Sequence, residues 1–339
     1  MSEFHPCCPP PTGLVRPVRV DPEGVSGPTR GTAAGPRWRT SSHGLVVPAA
    51  APLTVEQRIL EAAVRLPPDG MITGWAVLRL AGATYFDGLA RDGRTPLPVP
   101  VLLPHASRIR GSGVLVERTR RRLADALSRH GMRCAPSEVA LLHELRRAGT
   151  RRQAGVMVDM ALAARVVDLA VLRELAAAGR QPDQVAYALR RACVECRSPK
   201  ESEMLQVWED ELHLPRPLMN REVLDLEGRL IAVVDLLEVE SGTVGEYNGA
   251  AHRTRERQRR DEARADALRE VRLELFVLVA GDPERVWRER MATARRRALW
   301  LPEDERTWRV GSFVPAPPLP DADEAALDAI MVEHHRSLE

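Results

Sequence analysis

RLIAVVDLLEVESGTVGEYNG, residues 229–249, decides how this chain is read. An apolar run carries one acid, Asp235, with five apolar residues before it and two after. Burying an acid in such a strand is costly unless a cation compensates it. The Ser241-Gly242 pair marks a turn, and the next segment carries a second acid, Glu246. Side chains alternate faces along a strand, so Val233, Asp235 and Leu237 are expected on one face. Val244, Glu246 and Asn248 are expected together on the partner strand. A hairpin then brings Asp235 and Glu246 together at one end of a sheet.

Just upstream, SPKESE (198–203) opens a helix expected over about 199–212, with Glu201 in its first turn. Glu201 is the natural third carboxylate. Asp235, Glu246 and Glu201 form a candidate set of ligands for Mg²⁺ or Mn²⁺. Mg²⁺ takes few protein carboxylates and completes its shell with water and phosphate oxygens. Such an ion activates a bound water and stabilises charge developing on a phosphodiester. Downstream, His252 begins an Arg-rich helix expected over about 251–270. A histidine there is placed to accept a proton or contact a phosphate. Arg253, Arg255, Arg257, Arg259 and Arg260 supply positive charge for a nucleic-acid backbone, expected to be duplex DNA.

Plainer readings stand beside these. Glu201 also suits an exposed first-turn position, where it complements the helix dipole. A single His252 is most often a surface residue. The arginines alternate with Glu256, Asp261, Glu262 and Asp266, as on a solvated helix face. Asp235 is the residue these readings explain least.

At 339 residues two domains with extended ends are expected. Net charge is +2, and Lys200 is the only lysine. Arginine replaces lysine almost everywhere, as a GC-rich genome would encode, so its abundance weighs less as a phosphate-binding signal. No apolar run reaches about 18 residues, so no membrane span is expected. Five cysteines and no signal pattern point to the reducing cytoplasm. Cys193 and Cys196 form a lone CxxC with no second ligand pair at zinc spacing, and read as two small residues near a helix end. Walker A, GxGxxG and GxSxG patterns do not occur.

Residues 1–50 read as a Pro/Gly-rich arm with a short strand within 37–49. Residues 51–195 read as a mixed α/β domain. Thr54 to Gln57 is a capping box before a helix over about 55–66. VPVLLP (99–104) and SGVLVERTR (112–120) are expected strands, and helices are expected from Ser137 onward and over about 155–164, 168–178 and 182–195. Residues 198–299 form a third block, in the order α-β-β-α-β-α, which predicts a small mixed sheet flanked by helices. RLELFVLV (272–279) suits its buried strand, and Pro283 starts its last helix. Residues 300–320 read as a Pro-rich linker and 321–338 as a terminal amphipathic helix. The fold class is α/β.

The ordered set SPKESE, VVDLL, GEYNG, His252 and RRDEARADAL (259–268) resembles the Vsr-like branch of the PD-(D/E)xK endonuclease superfamily. The resemblance covers 198–280. It implies a restriction-endonuclease-like mixed sheet, Mg²⁺-dependent phosphodiester cleavage, acidic site residues at Glu201, Asp235 and Glu246, and a catalytic histidine at His252. The superfamily's ExK lysine falls at Asn248, where this branch would carry an aspartate; by that resemblance Asn248, a neutral amide, can ligate the metal or hydrogen-bond but adds no charge. Upstream, GMITGWAVLRLAG (70–82), the two strands and PSEVALLHELRR (136–147) resemble AbiEi-type antitoxin proteins. That family's N-terminal winged helix has no counterpart in residues 1–36. Two functions follow as expectations: a bacterial DNA-binding protein with a metal-dependent endonuclease-like domain, in defence or repair, or a non-catalytic antitoxin or regulator using the same fold to bind. A protein-interaction scaffold is the third.

Overall fold

The computed structural model describes residues 4–109, 112–119, 126–249 and 255–319; for 255–258, 260 and 261 it describes the backbone alone. The chain is α/β, with three sheets among the described residues and helices packed on the two larger ones. Among the described residues, no helix is long and apolar enough to cross a membrane.

Residues 4–50 are more ordered than their composition implies. Trp38–Ser42 and Leu45–Pro48 form a hairpin, and Val18–Arg19 adds a third strand. Thr54 caps the helix Val55–Ala63 by accepting from the Gln57 amide N–H. The Gln57 side chain does not reach back to complete the box. It clamps the Val15 backbone instead, accepting from its N–H at 2.9 Å and donating to its carbonyl at 2.7 Å. The arm is thereby tied to the next unit.

That unit holds a five-stranded sheet with Val99–Pro104 and Val114–Thr119 paired in parallel. GMITGWAVLRLAG divides into a short strand at Met71–Ile72 and a helix at Gly74–Leu80. The helices Ser137–Arg147, Arg151–Ala163, Leu169–Ala177 and Asp183–Arg191 follow. Leu141, Leu145, Leu172 and Val185 are fully buried in its core.

The third block contains helix α1 (Pro199–Gln206), strands β1 (Leu218–Asp225), β2 (Leu230–Glu238) and β3 (Thr243–Asn248), helix α2 (Arg255–Glu270), strand β4 (Glu274–Val279), helix α3 (Glu284–Arg297) and strand β5 (Trp308–Phe313). The sheet order is β4-β3-β2-β1-β5. Only β3 and β4 run parallel, joined across α2; the other pairs are antiparallel. Strand β1 was not read from the sequence, and β5 lies in the segment read as linker. The apolar run at 272–279 becomes an edge strand. One face of the sheet packs Met219, Leu236, Phe276 and Leu278 against Met204 and Trp208 and against Trp287 and Met291 of α3. The other packs Val223, Val234, Leu237 and Val244 against Leu268 of α2 and Trp308 of β5. Val156 and Met160, from the helix Arg151–Ala163, enter the first of these cores, so the second block packs directly on the third.

Candidate acidic site

Strict alternation would keep Val234 and Leu236 on one face of β2. They lie in different cores. The change of face falls at Asp235, between the pairs Val234↔Arg221 and Leu236↔Met219, across which the register is kept. Opposite stands Asn220, with φ of +51°, a backbone conformation that asparagine tolerates better than most residues. Asp235 lies where the two faces of β2 exchange.

At the same point β2 and β3 part. Their ladder ends at Leu236↔Gly245. The Tyr247 N–H then donates to Asp235 Oδ2 at 2.9 Å. The acid therefore fills a gap between strands, and the backbone donor compensates part of its burial cost. Arg197 brings a guanidinium nitrogen to 3.8 Å from Asp235 Oδ1.

Glu201 faces Asp235 from α1. It is 6 % exposed, contrary to the reading of an exposed first-turn acid. Its carboxylate accepts from the Arg197 N–H (2.7 Å), the Ser198 hydroxyl (2.9 Å) and the Asn220 Nδ2 (2.6 Å). Ser198 in turn caps the helix by accepting from the Glu201 N–H. Burial pushes the Glu201 carboxyl up to about 7, and the neighbouring charge of Asp235 adds to the rise. Glu201 is thus a clasp between α1, β1 and the turn before α1. Its lone pairs are largely engaged, which makes it a positioning group before a metal ligand.

On β3, Val244, Glu246 and Asn248 do share a face, as alternation requires: Val244 packs in the α2-side core, and the other two line a cavity of about 50 Å³ with Arg264, Ala265, Leu268 and Val277. Glu246 pairs with Arg264 of α2 at 2.5 Å. The same guanidinium nitrogen donates to the Val233 carbonyl. Arg264 thereby bridges β2 and β3 where their ladder has ended.

His252 and Arg253 lie outside the described residues. Arg255 and Arg260 lie on α2 with only their backbone described, and Arg259 is exposed there. Lys200 takes no part: it pairs with Glu203 at 2.6 Å and sits over the Trp287 ring.

Among the described residues, no group of three or more His, Cys, Asp or Glu side chains is gathered tightly enough to hold a metal ion. The chemistry of the donors nonetheless fits a divalent cation. Asp235, Glu246 and Asn248 offer hard oxygens, and Asn220 Oδ1 is buried with no hydrogen-bond partner beside the like-charged pair of Glu201 and Asp235. Loading such an ion requires Glu246 to exchange Arg264 for it. Sequence reasoning missed Asn220, Arg197 and Arg264. Only Arg264 carried a signal, lying within RRDEARADAL.

Comparisons of the chain with protein-family models, with curated proteins and with solved structures find no match. The functional argument therefore rests on these residues.

Proposed function

We propose that this protein binds DNA and hydrolyses its phosphodiester bonds with a divalent cation, in bacterial defence or repair. The observation that carries the reading is Asp235, an acid seated between two parting strands, with Glu246 on the next strand and Glu201 behind it. Asp235, Glu246 and Asn248 would hold the ion, Mg²⁺ or Mn²⁺. When bound, that ion supplies an activated water and charge stabilisation at phosphate. Glu201 exchanges a proton near neutral pH and keeps α1 against β1. Arg264, once released from Glu246, is placed to meet a phosphate oxygen, and His252 is the proposed proton acceptor. Arg253, Arg255, Arg259 and Arg260 would meet the DNA backbone.

A second reading is favoured by two specific features. Glu246 is engaged by Arg264, and Asn248 carries no charge. Both suit a nuclease fold kept as a non-catalytic binding module, in an antitoxin or transcriptional regulator.

The test is incubation of purified protein with plasmid, linear and mismatched duplex DNA under Mg²⁺ and Mn²⁺. The first reading expects divalent-dependent cleavage that Asp235→Ala abolishes with DNA binding retained. Salt-dependent binding without cleavage supports the second, and in that case Arg255→Ala with Arg259→Ala should flatten the salt dependence. Absence of both cleavage and binding overturns the two together.

A further inference from the structure

Two stretches far apart in sequence meet beside the turn that precedes α1. Residues 5–8 are fixed by backbone bonds. The Cys8 N–H donates to the Gly82 carbonyl at 2.8 Å, and the Thr84 N–H donates to the Pro6 carbonyl at 2.9 Å. After β5 the chain continues through 314–319, where the Val314 N–H donates to the Asn220 carbonyl at 2.9 Å. His5 joins the two stretches. Its Nδ1 accepts from the Cys7 N–H at 3.0 Å, which leaves the ring proton on Nε2, 2.7 Å from the Pro317 carbonyl.

A cavity of about 420 Å³ opens here, lined in part by His5, Leu162, Arg165, Val194, Arg197 and Phe313. That volume suits a small molecule. Its charge is one-sided. Among the described residues no Asp or Glu lines it, whereas Glu246, Glu61 and Glu274 stand in three other cavities. Arginines elsewhere in the chain are met by carboxylates at close range, as Arg39 is by Glu61 and Arg216 by Glu209. Arg165 has no carboxylate partner among the described residues, and Asp235 stands 3.8 Å from Arg197.

Arg165 also occupies a position that glycine fills at least cost. It follows the helix Arg151–Ala163 and its cap Ala164 with φ of +55°. The Arg165 N–H donates to the Leu162 carbonyl at 2.9 Å, and the Val166 N–H to the Ala161 carbonyl at 3.1 Å, which together close the helix. A long charged side chain at this left-handed site carries a backbone cost and adds nothing to the closure, which is made by main-chain groups alone. The gain lies where the side chain stands, in the cavity wall.

We propose that this cavity binds a small organic anion, whose phosphate or carboxylate is taken by Arg165 and Arg197 and whose apolar body rests on Phe313 and Val194. Guanidinium forks match both anionic groups. Val194 is 57 % exposed and supplies apolar surface that a ligand body would cover. Neither the metal nor the DNA reading above is needed for this site. It bears on the acidic site through one residue, since Arg197 also faces Asp235. A bound anion competes with Asp235 for that guanidinium.

The experiment titrates the full chain by calorimetry with adenosine monophosphate, phenylpyruvate, adenosine and inorganic phosphate. Saturable binding of adenosine monophosphate or phenylpyruvate is expected, and which of them binds tells phosphate from carboxylate recognition. Adenosine and inorganic phosphate should each bind at least about tenfold more weakly, lacking the anion or the body. Arg197→Gln should weaken binding by about tenfold or more through loss of a charge-assisted contact. Arg165→Gly should do the same while raising the melting temperature, because glycine relieves the left-handed position. In nitrogen-15 spectra the Arg197 and Tyr247 amides should shift at saturation.

No saturable binding of either organic anion, or binding indifferent to Arg165→Gly, would overturn the site. Inorganic phosphate binding as tightly as adenosine monophosphate would overturn the organic ligand. Asp321, Asp323 and Glu324 follow the cavity-lining segment in sequence. Binding that appears only when all three are replaced by their amides would assign the cavity to the chain's own acids instead. A bound anion with an unmoved Tyr247 amide would overturn the competition with Asp235.

Discussion

The Tyr247 amide donates to a side chain, Asp235 Oδ2, at the point where its strand leaves the β2 ladder. Asp235 therefore has two separable duties, as acceptor and as charge. Asp235→Asn keeps an oxygen for Tyr247 and should cost little stability. Asp235→Ala leaves a partly buried N–H without that acceptor and should cost about 1–3 kcal/mol in urea unfolding. Both should lose Mn²⁺ binding in calorimetry. Equal stability of the two variants would show that the Tyr247 bond does not hold the strands.

Glu201 makes stability depend on pH with a defined sign. Its carboxyl lies near about 7 when folded, above the ordinary value of 4.5, because burial and then the Asp235 charge disfavour ionisation. Between these values the folded chain keeps a proton that the unfolded chain releases. Its contribution is fully present below the unfolded value and is lost as pH rises through the folded one. At about 1.4 kcal/mol per pKa unit the loss is about 3 kcal/mol. Urea unfolding at about pH 4.5 and pH 8 should show it, and Glu201→Gln should flatten that slope. Asp235→Asn should move the transition to lower pH, since one of its causes is gone.

Arg264 and a divalent cation would compete for Glu246. Arg264→Gln should raise Mn²⁺ affinity by about tenfold, equivalent to ~1.4 kcal/mol. Asn248→Asp should act in the same direction by adding a carboxylate on the same face of β3. Calorimetric titration of each variant reads this without any cleavage assay. If neither variant binds Mn²⁺ more tightly than the parent, Glu246 and Asn248 are not ligands.

Gly245 sits one residue before Glu246, where a Cβ would stand 2.3 Å from the Phe276 ring. Phe276 is itself held against Trp208, with ring centroids 6.3 Å apart. Gly245→Ala should therefore destabilise by about 1–3 kcal/mol through overpacking. Thermal unfolding checks this, and Phe276→Leu in the Gly245→Ala background should recover part of the loss.

The hairpin was legible because its signals are local: two apolar runs, a Ser-Gly turn and one acid in each run. Strand β1 was not, because LMNREVLD alternates poorly and owes its strand form to β2 and β5 on either side. WRVGSF hid among prolines for the same reason, as its ladder partner is distant in sequence. The face shared by Glu246 and Asn248 followed from alternation alone. The placement of Asp235 did not, since the faces of β2 exchange there against the alternation, opposite Asn220 in a left-handed conformation. The burial of Glu201 likewise needs Asn220, 19 residues away in sequence, to meet its carboxylate beside the turn at Arg197.

Strand β5 closes the outer edge of β1. During synthesis β1, β2 and β3 are available to pair long before Trp308 leaves the ribosome. Throughout that interval the outer row of β1 amides and carbonyls has no ladder partner, and an open edge of this kind recruits strands from other chains. A nascent chain stalled or cut before residue 308 would thus retain the whole acidic site and be the form most prone to edge-to-edge assembly.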